Sequence, residues 1–466
     1  MAFQATFCTG IQEGRGAIFL DRRRGHVREA LRGIGGSPGR LNSWLDSLLP
    51  QEEIFDRAPD AGERVLGKVY RNGPITHGDP MKVLWITTFP PRRCGIGDYA
   101  AELASALSKD SGIRLRVLTY RDGLGGRSTW DDGVEVSRNL NGRPTKDHIV
   151  EEIDEFAPDL VHLQSSSFLH PAAVNRGVAK AGESVPVVTT VHNAPQSWRL
   201  FYAIPSLRKV YARSSLLIVH STGVSRTLTG FHRIDGKKIR RIPHGVDVDR
   251  YCPGTQDEAV RARYDLGGKR IVLFFGFLRP GKGLETLLRA WRRIAEANLD
   301  AILLIAGGTP SSAKKYFLNL RDEADYPARL RQLAESLGIG RRVQFTDYVP
   351  DAIVPGLLSS AEVIVLPYEG AHSQSGPFHK ALSCGRPVVA TKSPAFEDVL
   401  GDGEAALLTR PGDAQALAEA IHLLLSDDQL RNKLGRRGRQ LAVERLSWPR
   451  IARTTVSLYH QTVETS

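Results

Sequence analysis

Lys269-Arg-Ile-Val-Leu-Phe-Phe275-Gly276-Phe-Leu-Arg279-Pro-Gly281-Lys282-Gly283 is the stretch on which the fold turns. Ile271 to Phe275 is a short apolar run of the length of a buried strand. A glycine-rich loop follows it. Then Leu284, Leu287, Leu288, Trp291 and Ile294 recur at the spacing of one helix face. The same unit of strand, glycine loop and helix opens at Lys82. There Val83 to Phe89 reads as a strand, and Ile96, Tyr99, Leu103 and Leu107 mark a helix. Leu115 to Tyr120, Leu160 to Leu163, Val185 to Val191 and Leu216 to His220 extend the first series. Ile302 to Ala306, Val343 to Phe345, Val363 to Leu366 and Val388 to Ala390 extend the second. Buried-type strands alternating with helices form a parallel sheet covered on both faces. Because the grammar starts twice, the class is α/β, with two tandem Rossmann-like doubly wound domains facing a central cleft.

The boundaries follow from the same reading. Residues 1–80 carry Gly/Pro breaks (Gly33 to Gly39), an arginine run (Arg22 to Arg24) and little periodicity; they read as a partly ordered N-terminal extension. Residues 81–248 form the N-terminal domain, expected to take the acceptor. Residues 249–445 form the C-terminal domain, expected to take the donor. Residues 446–466 close the chain with a helix that Ser447 can cap and whose first turn suits Pro449.

Composition narrows the function. The chain has 466 residues, 41% hydrophobic and 24% charged, a globular balance at a length of two or three domains. No run approaches the ~18 apolar residues of a membrane span. Cys8, Cys94, Cys252 and Cys384 lack metal spacing, which points away from a disulfide scaffold or zinc cluster and toward a reduced, cytoplasmic protein. The first residues do not have the order of a secretory signal. The net charge is +12. Arg199, Arg208, Lys209, Arg213, Arg233, Lys237, Lys238, Arg240 and Arg241 crowd one region, interleaved with Trp198, Phe201, Tyr202, Leu207 and Val210. The pattern fits either a solvated face or a surface resting on anionic lipid, peripheral at the inner membrane face; no nucleic-acid partner is expected.

Three loops can hold phosphate. Gly95-Ile-Gly97-Asp-Tyr-Ala100 fits G-x-G-x-x-A before a helix. Taken literally it is a nicotinamide-cofactor fingerprint with Asp122 as ribose acceptor, although Pro90 to Cys94 separate it from its strand. Gly276 to Gly283 nearly fits the triphosphate loop G-x-x-x-x-G-K-[ST], but glycine stands where the magnesium-holding hydroxyl belongs. What remains is a cationic loop in which Arg279 and Lys282 can neutralise a diphosphate leaving group without a metal. Ser375-Gly376-Pro377 opens a helix over Phe378 to Cys384, with Ser375 as N-cap and free N–H groups as a second anion site. His162, His192, His220 and His244 lie at or after apolar runs, where cleft residues gather; His192 is the best placed.

Together these landmarks resemble the retaining glycosyltransferases of family 4, which have the GT-B fold. The likeness runs from about Met81 to the C-terminus. It rests on Lys82-Val-Leu-Trp-Ile with Pro90-Pro91 and Gly95, on Asp159-Leu-Val-His162 and Val191-His192, and on Ile242-Pro-His244-Gly-Val-Asp247 with Tyr251 and Pro253. Phe275-Gly276 through Lys282-Gly283 and Ala381-Leu-Ser-Cys384-Gly385-Arg-Pro387-Val-Val389 complete it. The resemblance implies transfer of a hexose-type sugar from a nucleotide diphosphate sugar to an acceptor hydroxyl, saccharide or lipid-linked, with retention and with no cofactor or bound metal. It implies that Arg279 and Lys282 hold the diphosphate, that Gly95 and Gly97 approach it from the first domain, and that His192 lines the sugar pocket. It also implies that Ser375, Gly376 and Lys380 contribute to the donor site, and that the last helix returns to the N-domain.

Some positions depart from the family. Its pair of donor-site glutamates falls on Lys380 and on His372 or Ala371. The second glutamate normally accepts ribose hydroxyls, and a lysine can only donate. Ser375-Gly376 looks like the helix start of branches that lack the first glutamate. Phe277 stands where an arginine is common, and Cys94 and Asp347 replace glycines. Two further readings therefore stand beside the transferase: a catalytically impaired sugar-nucleotide-binding relative, and a nicotinamide oxidoreductase.

Overall fold

A computed structural model describes residues 79–466 except 93, 110–111, 123, 125, 131–132, 141–145, 167–168, 196–203, 255–257, 310–324, 371–374 and 402–403. The extension expected over residues 1–80 lies almost wholly outside the described residues, as do Trp198, Arg199, Phe201, Tyr202, Ala371 and His372. Everything described belongs to one contact unit, Leu66–Ser466.

The first sheet contains β1 (Met81–Ile86), β2 (Ile113–Tyr120), β3 (Arg127–Thr129), β4 (Glu135–Leu140), β5 (Leu160–Ser165), β6 (Val187–Val191), β7 (Leu216–Val219) and β8 (Ile239–Arg241). Their order is β3-β4-β2-β1-β5-β6-β7-β8, parallel except for the β3–β4 pair. The second sheet contains β9 (Arg270–Phe275), β10 (Ala301–Ala306), β11 (Val343–Phe345), β12 (Val363–Leu366), β13 (Val388–Thr391) and β14 (Leu407–Thr409). Its order is β11-β10-β9-β12-β13-β14, all parallel. Both orders reverse beside the first strand, at β1/β5 and at β9/β12. In such sheets ligands bind in the crevice beyond the strand ends at that reversal.

Helices cover both faces; those that position the site are α1 (Gly95–Leu107), α2 (Ile204–Arg213), α3 (Leu284–Ile294), α4 (Gly376–Ser383) and α5 (Trp448–Glu464). The five residues that mark α3 in sequence, Leu284, Leu287, Leu288, Trp291 and Ile294, are all buried. Alternate residues of β1 enter opposite cores, as the pleat requires: Leu84 and Ile86 on one face, Val83 and Trp85 on the other.

The last helix belongs to the first half's core. Trp448, Ile451, Ala452 and Tyr459 pack with Tyr99, Leu103 and Leu107 of α1 and with Trp85. Each large apolar side chain buried there contributes roughly 2 kcal/mol. The Trp85 indole N–H donates to the Tyr459 hydroxyl at 3.1 Å. The chain passes between the halves twice, side by side: the Val246 N–H donates to Leu446 O at 2.8 Å and the Trp448 N–H to Val246 O at 3.3 Å. A Cβ on Gly245 would fall 2.1 Å from the Trp448 ring, so only glycine lets the two crossings close. Ser447 occupies the cap position but its side chain makes no capping bond; Pro449 does lie in the first turn.

Candidate active site

The loop after β9 is seated on the exit of β12. Gly283 has φ +69°, and a Cβ there would fall 1.8 Å from Pro367 O. The Glu369 N–H donates to Gly281 O at 3.0 Å. The chain therefore docks across the reversal of the second sheet instead of forming a solvated turn. The Lys282 Nζ lies 3.6 Å from the centre of the Tyr368 ring, an attractive cation–π contact. The Tyr368 hydroxyl in turn meets Ser375 Oγ at 3.1 Å. Lys282, Tyr368 and the start of α4 thus form one chain of contacts. Burial, and then the Arg279 charge, lower the Lys282 ammonium to about 7. Burial raises the Tyr368 phenol to about 12, against the pull of Ser375 and Arg279. Arg279 itself is exposed at the loop tip, and its field reaches both groups.

Ser375 departs from expectation in one respect. It sits at the N-cap in extended backbone, but its hydroxyl makes no capping bond and serves Tyr368 instead. Its carbonyl accepts from His379 Nδ1–H at 2.7 Å. The start of α4 carries no side-chain cap, which leaves its positive end available to an anion.

Across the cleft, Tyr99 of α1 is ringed by imidazoles. Its ring centre lies 4.8 Å from His192, 5.1 Å from His220, 4.9 Å from His244 and 5.3 Å from Trp448. Hydrogen bonds fix the tautomers. His192 donates Nε2–H to Gln164 Oε1 at 2.7 Å, and His220 donates Nδ1–H to Ile242 O at 2.8 Å. His244 donates Nδ1–H to Gly245 O at 2.6 Å. Burial first, and then its imidazole neighbours, hold His192 well below its ordinary value, so it is neutral. The two halves meet where His244 stacks on His379 at 5.2 Å and faces Gly376.

Several residues lie elsewhere than their sequence context indicates. His162 is inside β5, not at its end; it pairs with the Tyr459 hydroxyl and with Thr190 Oγ1, a structural role. Gly95 is exposed with open space around it, whereas Gly97 is buried against the Phe89 and Arg92 backbone. Asp122, the position read as a ribose acceptor for a nicotinamide cofactor, is engaged in an ion pair with both Nε and Nη2 of Arg92 at 2.6–3.0 Å. Lys380 faces the first half: its Nζ lies 3.5 Å from Glu102 Oε1 of α1 and 4.7 Å from the Tyr251 ring centre. Among the described residues no group of three or more His, Cys, Asp or Glu side chains is placed to hold a metal ion.

Sequence reasoning missed Tyr99, Glu102, Gln164 and Tyr368. Tyr368 had a usable signal, since it follows β12 at the sheet reversal. Tyr99 reads as core because it falls on the apolar stripe of α1.

Two doubly wound halves, with a cationic loop and a helix start converging at the second sheet's reversal, define a GT-B glycosyltransferase. The chain matches Glycosyltransferase Family 4 over residues 94–250 and Glycosyl transferases group 1 over residues 256–441. It is similar to a GDP-mannose-dependent alpha-(1-6)-phosphatidylinositol monomannoside mannosyltransferase of Mycolicibacterium smegmatis, with 27% identity covering 77% of this chain and 93% of that protein. It is 29% identical to a D-inositol 3-phosphate glycosyltransferase of Corynebacterium urealyticum, over 58% of this chain and 60% of that one. In fold it resembles the solved sucrose-phosphate synthase of Thermosynechococcus elongatus, with a TM-score of 0.70 and 20% identity over 83% of this chain and all of that one. The protein belongs to the family 4 glycosyltransferases.

Proposed function

We propose that the protein is a retaining, metal-independent mannosyltransferase that moves mannose from GDP-mannose to a hydroxyl of a saccharide or inositol-lipid acceptor. The meeting of Lys282, Tyr368 and the start of α4 carries this reading. A diphosphate placed there is flanked by Lys282, by Arg279 and by the positive end of a helix. In the transfer the bond from the anomeric carbon to the phosphate oxygen breaks, and the electron pair leaves with GDP. The acceptor oxygen bonds to the same face, and its proton passes to the departing phosphate. Two cations stabilise the charge that grows on the leaving group. His192, neutral and oriented by Gln164, lines the sugar side. The relatives named for GDP-mannose and inositol acceptors guide the choice of base, sugar and acceptor.

The test is nucleotide release from GDP-mannose, UDP-glucose and ADP-glucose, each with and without phosphatidylinositol, in buffer containing EDTA. GDP-mannose should be turned over fastest and the lipid should accelerate it. NMR of the product should show the donor's anomeric configuration. No release from any donor, or an inverted product, contradicts the proposal.

Peripheral membrane contact is part of the same reading. No described helix is long and apolar enough to cross a membrane. Lys209, Arg213, Arg226, Arg233, Lys237 and Arg240 are exposed on and around α2. Of the apolar residues expected among them, Leu207 and Val210 are buried in the core behind α2, and Trp198, Phe201 and Tyr202 lie outside the described residues. The exposed cations carry the electrostatic part of the contact. The chain should co-sediment with vesicles containing anionic lipid, lose that binding at high salt, and ignore neutral vesicles. Equal binding to neutral vesicles would refute it.

A further inference from the structure

Position 380 is where the family places the carboxylate that accepts the donor's ribose hydroxyls, and here it is lysine. A lysine has no acceptor, yet a carboxylate is still present at that place. Gly376 and Lys380 stand one turn apart on one face of α4. Gly376 looks at His244, so this face is turned to the first half. From the first half, Glu102 of α1 reaches the Lys380 ammonium at 3.5 Å. The second oxygen of Glu102 accepts the Trp448 indole N–H at 2.7 Å. The carboxylate is therefore gripped from two sides, by α4 and by the crossing that returns the chain to the first half. It keeps lone pairs to spare, and with 22% of the Glu102 side chain and 14% of Lys380 exposed, solvent still reaches the pair. Asp351, another carboxylate whose charge acts on Lys380, is tied to Arg250.

We propose that Glu102 supplies, from the opposite half, the carboxylate that accepts the ribose hydroxyl hydrogens of the donor, and that Lys380 is the positioning residue that holds it there. The inference rests on the nucleotide-sugar reading above. Its consequence is that ribose recognition requires both halves, so that the nucleoside end of the donor bridges the cleft.

Glu102→Gln is the informative change. The Trp448 N–H needs an acceptor, so the amide oxygen turns to it and the amide NH2 replaces the oxygen on the ribose side. The full chain is titrated calorimetrically with GDP and with its 2′-deoxy and 3′-deoxy forms, and with the UDP and ADP sets beside it. The wild type should lose about tenfold in affinity on deoxygenation. In Glu102→Gln ribo and deoxy forms should bind alike, with the thermal midpoint little changed. Lys380→Glu/Glu102→Gln returns the carboxylate to α4 and should restore the discrimination. A Glu102→Gln chain that keeps the full ribo-to-deoxy ratio overturns the inference while leaving the donor reading intact. A wild type that binds none of the nucleotides overturns both.

Discussion

Replacing Lys282 by alanine should leave the fold intact and lower sugar transfer by roughly a thousandfold, the usual cost of removing a charged group that meets developing charge. The loop does not depend on the lysine for its shape. It is seated by Gly283 against Pro367 and by the Gly281 carbonyl accepting from Glu369. The lysine instead rests on the Tyr368 ring, whose hydroxyl meets Ser375. Because its ammonium titrates near about 7 in the free protein, a bound diphosphate must draw a proton onto it. Donor affinity should therefore fall as pH rises above 7 in the wild type, and that dependence should vanish in the alanine variant. Steady-state kinetics across pH, with circular dichroism to verify folding, measures both effects. Wild-type rates in Lys282→Ala would remove the loop from the mechanism.

The second large effect is on stability. Four buried imidazoles are held low by desolvation: His162 at about 3, and His170, His220 and His379 at about 4. His192 and His244 are displaced the same way. Unfolding releases them to the ordinary value near 6.5, so below that pH the unfolded chain takes up protons that the folded chain refuses. The stabilisation is whole above about 6.5 and is lost as pH falls toward about 4. The loss should reach on the order of 5 kcal/mol or more by pH 5. Thermal midpoints recorded from pH 8 to pH 4.5 should hold steady and then drop steeply below 6.5. A flat profile across that window would mean that these imidazoles are solvated.

What was legible in the sequence follows the physics of burial. Strands buried on both faces, such as β1, β9 and β12, stand out as apolar runs, and α3 as an apolar stripe. β4 does not, because Ser137 and Arg138 are buried within it; the Ser137 hydroxyl donates to Glu152, which also pairs with Arg116. β8 is a three-residue edge strand whose one apolar residue, Ile239, is too little to stand out as a run. Asp347, which replaces a family glycine, keeps the left-handed backbone at φ +56°, a conformation that aspartate tolerates. The loop after β9 and the start of α4 were readable because each is a local pattern. The other wall of the site was not. Tyr99, Gln164, His192, His220 and His244 come together only through the sheet order, and the partner of Lys380 lies in a helix of the other half.

A crystal structure of the full chain with GDP bound puts the central claim to its most direct test. The diphosphate should lie in the β9/β12 crevice, with the β-phosphate within hydrogen-bond reach of Lys282 Nζ and the backbone N–H of Gly376. A nucleotide bound anywhere else on the molecule, with Lys282 still resting on Tyr368 and untouched by phosphate, would contradict it.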